Sequence, residues 1–234
     1  MSERRATWMY PEGHPKARLG PVLLVLTFAG GLVDAVSFLD LGKVFVANMT
    51  GNVAFLGLAL AGVSELSAPA SGTALAGFLV GAAVAGRWGG ERLALVVWVQ
   101  AGLVAVSLGG LWLDGGRYAV LVPLALGMGL QNGVVHELAL PDLATTVVTR
   151  TLAGLAADGR GAAARRRVLS VVALFLGALA GGLLHLWVDP RAALAAVLVL
   201  LVGVAAWETA VPRRTGRSAG AAGGLTVGQR SVDQ

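Results

Sequence analysis

Residues 31–36 read Gly-Leu-Val-Asp-Ala-Val, and residues 129–134 read Gly-Leu-Gln-Asn-Gly-Val, 98 positions further along the chain. Two later apolar runs of the first part fall on apolar runs of the second part when the same offset is applied, and Thr50 of a polar-interrupted run meets Thr149 of another with one residue of slippage. Four runs that align at one spacing are typical of two copies of one structural unit. The sequence therefore predicts a two-fold internal repeat, with a first half at 20–113 and a second half at 118–210.

The composition decides the class of protein around this repeat. Hydrophobic residues make up 56% of the chain and charged residues only 13%, whereas a soluble domain carries about 25% charged residues. The chain has no cysteine, which excludes disulfides, thiolate metal sites and cysteine nucleophiles. The sequence predicts an all-α fold, a polytopic integral membrane protein, with no room for a separate soluble domain.

Charge, glycine and proline divide the chain into apolar runs, two of which contain polar residues near their middle. The interrupted runs are 44–62 and 143–157, so the chain has six to eight hydrophobic segments, of which two are discontinuous. If both interrupted runs cross the membrane, the halves are parallel; if both enter and return, six spans remain and the halves are inverted. Length favours a full crossing for 44–62 and disfavours one for 143–157; we expect six full spans and a pair of discontinuous segments. The eight runs are 20–39, 44–62, 72–88, 93–113, 118–138, 143–157, 168–188 and 191–210.

The basic residues predict the orientation. They gather in an N-terminal arm at 1–19, in the stretch 160–167 and in a C-terminal tail at 213–234. Lys and Arg prefer the cytoplasmic side of a membrane, so we expect a multi-pass inner-membrane protein with both termini cytoplasmic and a disordered tail. This placement reflects topology and not nucleic-acid binding, although the net charge is +5.

Asp34 is the only acidic residue well inside an apolar run. A carboxylate at membrane depth is costly, so it must be paired, solvated or protonated. It is interpreted either as a proton or cation site, or as a packing carboxyl bonded to a neighbouring helix. The second half carries neutral residues at the equivalent place, Gln131 and Asn132.

The stretch 47–52, Ala-Asn-Met-Thr-Gly-Asn, breaks the run 44–62 with hydrogen-bonding side chains. Thr50 and Asn52 have the chemistry of caps for a half-helix at 53–62, whose free amides would attract an anion or a polar group. Two such ends, one from each half, form the central site of many secondary transporters. The alternative is a pair of polar kinks satisfied by neighbouring helices. The polar residues of the two breaks are Asn48, Thr50 and Asn52 in the first half and Thr146, Thr149 and Arg150 in the second.

Arg150 stands inside the second break, where it pairs with Asp34, binds an anion or extends to the interface. Three scattered histidines form no metal-binding spacing, and no catalytic triad or zinc motif is present. We therefore expect no enzyme, no metal and no cofactor. Thr50 with Asp34 is the one nucleophile and base that the sequence offers for an intramembrane enzyme.

The stretch 31–38 followed by 44–53, with its Met-Thr-Gly-Asn motif at 49–52, resembles the YoaK family of small bacterial multi-span membrane proteins of unknown function. The second-half stretches 129–132 and 145–149 are similar to a second signature of that family. The chain departs from this pattern at Arg150, where a glycine is expected. The resemblance implies a bacterial inner-membrane protein and supplies no reaction or substrate.

These features predict a small secondary transporter or permease for a small polar or anionic solute, with Asp34 as the coupling group for a proton or cation. Its site would lie between the halves. The alternative is a non-transporting membrane scaffold or accessory subunit, in which the broken helices are structural. The expected partners are membrane lipid and an unidentified solute. The motifs Gly77-x-x-x-Gly81 and Gly177-x-x-x-Gly181 favour close helix contacts, either within one chain or in a homo-oligomer. The predicted site residues are Asp34, Asn48, Thr50, Asn52, Gln131, Asn132, Thr146, Thr149 and Arg150.

Overall fold

A computed structural model describes residues 19–88, 92–138 and 161–210, and these contain seven α-helices and no strand. A bilayer core of about 30 Å needs about 20 helical residues to cross it. Six of the seven helices are long and apolar enough to do so, while α2 has 12 residues. This confirms the all-α membrane fold class. The helices are α1 (Leu19–Asp40), α2 (Met49–Leu60), α3 (Ala68–Trp88), α4 (Leu93–Trp112), α5 (Arg117–Glu137), α6 (Ala162–Trp187) and α7 (Pro190–Ala210).

Contacts between helix ends show how the chain is threaded. Gly42, just after α1, lies against Ser67 and Ala70 at the start of α3 and against Arg117 at the start of α5. These residues define what we call the Asp40 end of the bundle; the opposite end, where α1 begins, is the Leu19 end. The segment 41–67, which includes α2, therefore leaves and returns at the same end and does not cross the bundle.

Two further contacts show that α4 and α6 end, and α7 begins, at the Asp40 end. His185 near the end of α6 pairs with Asp40, with 3.1 Å between Nδ1 and a carboxylate oxygen. Arg191 at the start of α7 donates a hydrogen bond to the carbonyl of Leu111 near the end of α4, at 3.2 Å. The described helices thus make six crossings, as the six-span interpretation expects.

Helix α1 packs most extensively against α6, and α5 packs most extensively against α3. A Cβ at Gly177 would overlap the carbonyl of Phe28, and a Cβ at Gly81 would overlap the carbonyl of Leu126. These glycines let two backbones touch, which is how helices associate where lipid gives no hydrophobic driving force. Both Gly-x-x-x-Gly motifs are therefore used inside the chain.

The first helix of each predicted half packs against helices of the other half. Helix α1 of the first half lies against α6 and α7 of the second, and α5 of the second half lies against α3 and α4 of the first. Since α1 ends and α5 begins at the Asp40 end, the two helices run in opposite directions. The internal repeat stays a prediction; if the halves are copies, this direction makes them inverted copies.

Candidate functional site

Asp34 lies on the buried face of α1, with 6% of its surface exposed. Its Oδ1 accepts hydrogen bonds from the backbone amides of Val46 and Ala47, at 2.9 and 2.7 Å. The chain can reach back to this carboxylate because Gly42 and Lys43 take positive φ angles, 103° and 59°, and reverse its direction just after α1. Asp34 is therefore bound by the backbone of the connecting segment 41–48.

Asn52 binds the same segment from the other side. Its Oδ1 accepts a hydrogen bond from the amide of Phe45 at 2.8 Å, and its Nδ2 donates to the carbonyl of Phe45. The side chain of Asn52 is fully buried. Asp34 and Asn52 together satisfy the amides of three consecutive residues, 45–47, which have no helical partner. Backbone amides outside a helix need such hydrogen-bond acceptors at membrane depth, because no water is there to accept their hydrogen bonds.

Aromatic rings complete the anchoring of α2 against α1. The ring of Phe45 stacks on Phe38 of α1, with centroids 5.2 Å apart, and lies 5.6 Å from the ring of Phe55 of α2. The ammonium of Lys43 lies 5.0 Å above the Phe38 ring. We call Asp34, Asn52 and the segment 41–48 that they bind the Asp34 cluster.

The half-helix begins earlier than the sequence predicted, at Met49 instead of residue 53. Thr50 and Asn52 therefore lie in its first turn and do not precede it. Asn48 occupies the position of the N-cap but makes no capping hydrogen bond through its side chain. Thr50 is exposed and Asn48 half-buried.

A second polar group lies between α4 and α5. The Nε2 of Gln100 donates hydrogen bonds to the Oε1 of Gln131 at 2.8 Å and to the sulfur of Met128 at 3.4 Å. Gln100 is 1% exposed and Gln131 is fully buried. The remaining polar atoms, Oε1 of Gln100 and Nε2 of Gln131, have no hydrogen-bond partner in the structure. We call these residues the Gln pair.

The two polar groups lie at different depths. Asp34 precedes Asp40 by six residues, and Gln131 precedes Glu137, at the other end of the bundle, by six residues. At 1.5 Å per residue, each lies about 9 Å inside an opposite end. Within the described ranges, no hydrogen bond joins the two groups. The described residues thus form two separate polar clusters, and the shared site of the two halves stays a prediction.

Met128 separates the clusters and is 2% exposed. Its sulfur faces Gln100, and its methyl group lies against α1, 3.5 Å from a Cβ placed at Gly30. The same Cβ would lie 3.7 Å from the Cβ of Ala47, which belongs to the Asp34 cluster. The side chain of Met128 and the backbone of Gly30 therefore lie between the Gln pair and Ala47 of the Asp34 cluster.

Comparison with known proteins identifies the family. A family model described as a protein of unknown function, DUF1275, matches residues 22–207. The chain belongs to the DUF1275 family. It is similar to the UPF0700 transmembrane protein YoaK of Bacillus subtilis (strain 168), with 33% identity over 151 residues, which cover 60% of this chain and 67% of that protein. No solved structure matches it. The resemblance to the YoaK family is thereby confirmed.

Several predicted site residues of this DUF1275 member lie outside the described ranges, namely Thr146, Thr149 and Arg150. Asn132 is described: it is half-buried, and its Nδ2 donates to the carbonyl of Met128, four residues earlier on α5, at 2.8 Å. Within the described ranges, no three His, Asp or Glu side chains come together as metal ligands.

Gln100 is the residue of this DUF1275 member that sequence reasoning missed. It is the one glutamine in the apolar helix α4, which was a usable signal, because a polar residue inside a span marks function or packing. The offset of 98 gave it no polar counterpart, since position 198 is Leu. Only the folded chain shows that Gln100 contacts Gln131.

Proposed function

We propose that this chain is a permease for a small polar solute, which passes through the interior of the bundle along α1 and α5. The proposal depends on the positions of the two buried polar clusters. The Asp34 cluster lies near the Asp40 end of the bundle, the Gln pair lies near the Leu19 end, and Met128 lies between them. Buried polar groups at membrane depth are costly and mark solute or ion pathways. The arrangement fits a closed pathway, and no catalysed reaction is part of it.

Asp34 is proposed as the coupling group of this permease. Two backbone amides bind the same carboxylate oxygen of Asp34. Protonation would weaken both bonds and loosen the segment 41–48, including Ala47, which lies beside the contact between Gly30 and Met128. Binding of a proton to Asp34 would thus change the packing around Met128, which is the proposed barrier between the two clusters.

The close glycine contacts are the proposed sliding surfaces. The α1–α6 and α3–α5 interfaces bring backbone against backbone at Gly177 and Gly81. Helices that meet through small residues can shift relative to one another without unlocking interdigitated side chains. The exchanged packing of the halves would transmit such a shift from one half to the other.

The proposal is tested by widening the barrier. Met128→Ala removes the side chain between the clusters, while Val122→Ala truncates a residue on the same helix that is 36% exposed. Purified protein in proteoliposomes is mixed with glycerol, urea or acetate, and entry is followed by stopped-flow light scattering. We expect at least one solute to enter several-fold faster with Met128→Ala than with wild type, and Val122→Ala to match wild type.

A single result would overturn the permease. If none of these solutes enters vesicles containing wild type or Met128→Ala faster than vesicles without protein, the clusters do not form a pathway. Circular dichroism and size-exclusion chromatography of each variant establish that the protein is folded in that comparison.

A non-transporting membrane scaffold is the second candidate function. One observation favours it: Asp34 and Asn52 both bind backbone groups of 45–47, which is what a purely structural role requires. On this reading the bundle is sealed, and Met128→Ala changes stability without raising solute entry. The same flux measurement therefore decides between the two functions.

A further inference from the structure

We propose that the Gln pair is a binding site for a small uncharged solute that carries a hydrogen-bond donor next to an acceptor, as a primary amide does. This inference rests on the proposed permease function and names its solute class. It is carried by the two polar atoms that the pair leaves without partners, Oε1 of Gln100 and Nε2 of Gln131.

The two unfilled groups are one acceptor and one donor, the two kinds of group that a primary amide can satisfy. Gln100 uses both hydrogens of its Nε2, on Gln131 and on Met128. Its carbonyl oxygen has no partner and stays open as an acceptor. Gln131 keeps an amino group open as a donor. If both amides rotate by 180°, one carbonyl and one amino group again stay open. A ligand with N–H and C=O on adjacent atoms would bind one group with each.

Burial makes these open groups a recognition feature. Both side chains are almost completely enclosed, so bulk water does not satisfy them. A buried donor or acceptor without a partner costs free energy that a fitting ligand recovers. A site that hydrogen-bonds its ligand in this way rejects analogues that lack the matching group.

The surroundings of the Gln pair select against ions. Gln100 lies seven residues inside the start of α4, and Gln131 lies six residues inside the end of α5. The charged residues at this end of the neighbouring helices α3, α4, α5 and α7 all lie within two residues of a helix end: Arg87, Arg92, Glu137 and Glu208. Among the residues that the structure describes, none lies beside the Gln pair as a counter-charge, so an ion there would lose its hydration without compensation from them.

The test uses urea and acetamide as uncharged probes and acetate as the ionic probe. Entry into proteoliposomes is measured for wild type, Gln131→Met and Gln100→Met. Methionine keeps the length of the side chain and removes its hydrogen-bonding groups. We expect urea and acetamide to enter faster with wild type than without protein, and each Gln variant to slow that entry about tenfold.

Ser107→Ala is the matched control. The Ser107 hydroxyl lies on α4 and donates a hydrogen bond to the carbonyl of Val120 on α5 at 3.0 Å, so it joins the same two helices away from the pair. Its loss weakens the α4–α5 contact without touching the proposed site, and amide entry should stay at the wild-type rate. Gln131→Asn, which keeps the amide but shortens the side chain, serves where Gln131→Met does not fold.

The outcomes separate this inference from the permease itself. If acetate enters and neither amide does, the solute class is wrong and the permease stands. If wild type raises only water permeability, the Gln pair holds a water molecule and the inference is overturned. If Ser107→Ala slows the entry of urea and acetamide as much as Gln131→Met does, the Gln pair only joins α4 to α5, and the inference is likewise overturned. If no probe enters with any variant, the permease function fails as well.

Discussion

At the residue scale, Asp34 shows how one side chain serves a fold and a proposed function together. The carboxylate replaces the helical partners that the amides of Val46 and Ala47 lack. An isolated charge at this depth would be expensive, and the two amide bonds reduce that expense. A change in the protonation of Asp34 would therefore change the hydrogen bonds that hold the connecting segment 41–48.

Substitution of Asp34 separates its two roles. Asp34→Asn keeps an acceptor oxygen for both amides and cannot titrate, whereas Asp34→Ala leaves two buried amides without a partner. We expect Asp34→Ala to lose about 2 kcal/mol or more of stability and Asp34→Asn to lose much less. Thermal unfolding in detergent measures both, and solute entry into proteoliposomes should become independent of a pH gradient in Asp34→Asn.

Thr27→Ala is the control for Asp34→Ala. Thr27 is buried in the same helix, and its hydroxyl bonds only to the Leu23 carbonyl within that helix, at 2.8 Å. Its loss should change the midpoint little, because no buried backbone group loses its only partner. If Asp34→Asn unfolds as easily as Asp34→Ala, the charge and not the hydrogen-bond geometry holds the segment, and the anchoring argument is wrong.

Residue roles were only partly predictable from the sequence. The cost of a buried carboxylate singled out Asp34, and the polar break singled out Asn52, because both are exceptions in an apolar chain. Their partners were not predictable, since both bind backbone groups, which every residue has. The same limit hid Gln100, whose partner lies 31 residues away on another helix.

At the element scale, most helix boundaries followed from hydropathy. The runs predicted at 20–39 and 93–113 are the helices Leu19–Asp40 and Leu93–Trp112. The run predicted from 168 instead begins at Ala162, because the helix continues through Arg165–Arg167. Charge ends the apolar signal of a span but does not end the helix, so the sequence underestimated its length.

Glycine substitutions test the packing of α6 against α1. A Cβ at Gly177 would overlap the backbone of Phe28, whereas a Cβ at Gly182, five residues later on the same helix, meets nothing within 4 Å. We expect Gly177→Ala to destabilise the protein by about 1 to 3 kcal/mol through overpacking. Gly182→Ala should be neutral or stabilising by up to about 1 kcal/mol, because alanine favours helix.

Unfolding midpoints in one detergent measure this pair of variants, and helix content by circular dichroism shows that both are folded. Two equal midpoints would mean that α6 does not touch α1 through Gly177. The exchanged packing of the halves would then lose its main support.

At the scale of the whole molecule, the threading decides how the two predicted halves are related. The sequence left six and eight spans open, because positive charge lies mainly on one side in either case. The contact of Gly42 with Ser67 and Ala70 settles the path of segment 41–67, which no local pattern could do. The corresponding second break, predicted at 143–157, lies outside the described residues.

Single cysteines test this threading directly, because the natural chain has none. Lys43 and Glu65 flank α2, and both are exposed. With six spans, Lys43→Cys and Glu65→Cys react with a membrane-impermeant maleimide from the same side of the membrane, and Arg92→Cys reacts from the opposite side. With eight spans, residue 65 lies across the membrane from residue 43.

With six spans, the positive-inside rule predicts that Arg92 is cytoplasmic. In intact cells, Lys43→Cys and Glu65→Cys should therefore label, and Arg92→Cys should label only after lysis. Labelling of Lys43→Cys without Glu65→Cys would show that α2 crosses the bilayer, and the position of the Asp34 cluster near a single end would have to be abandoned.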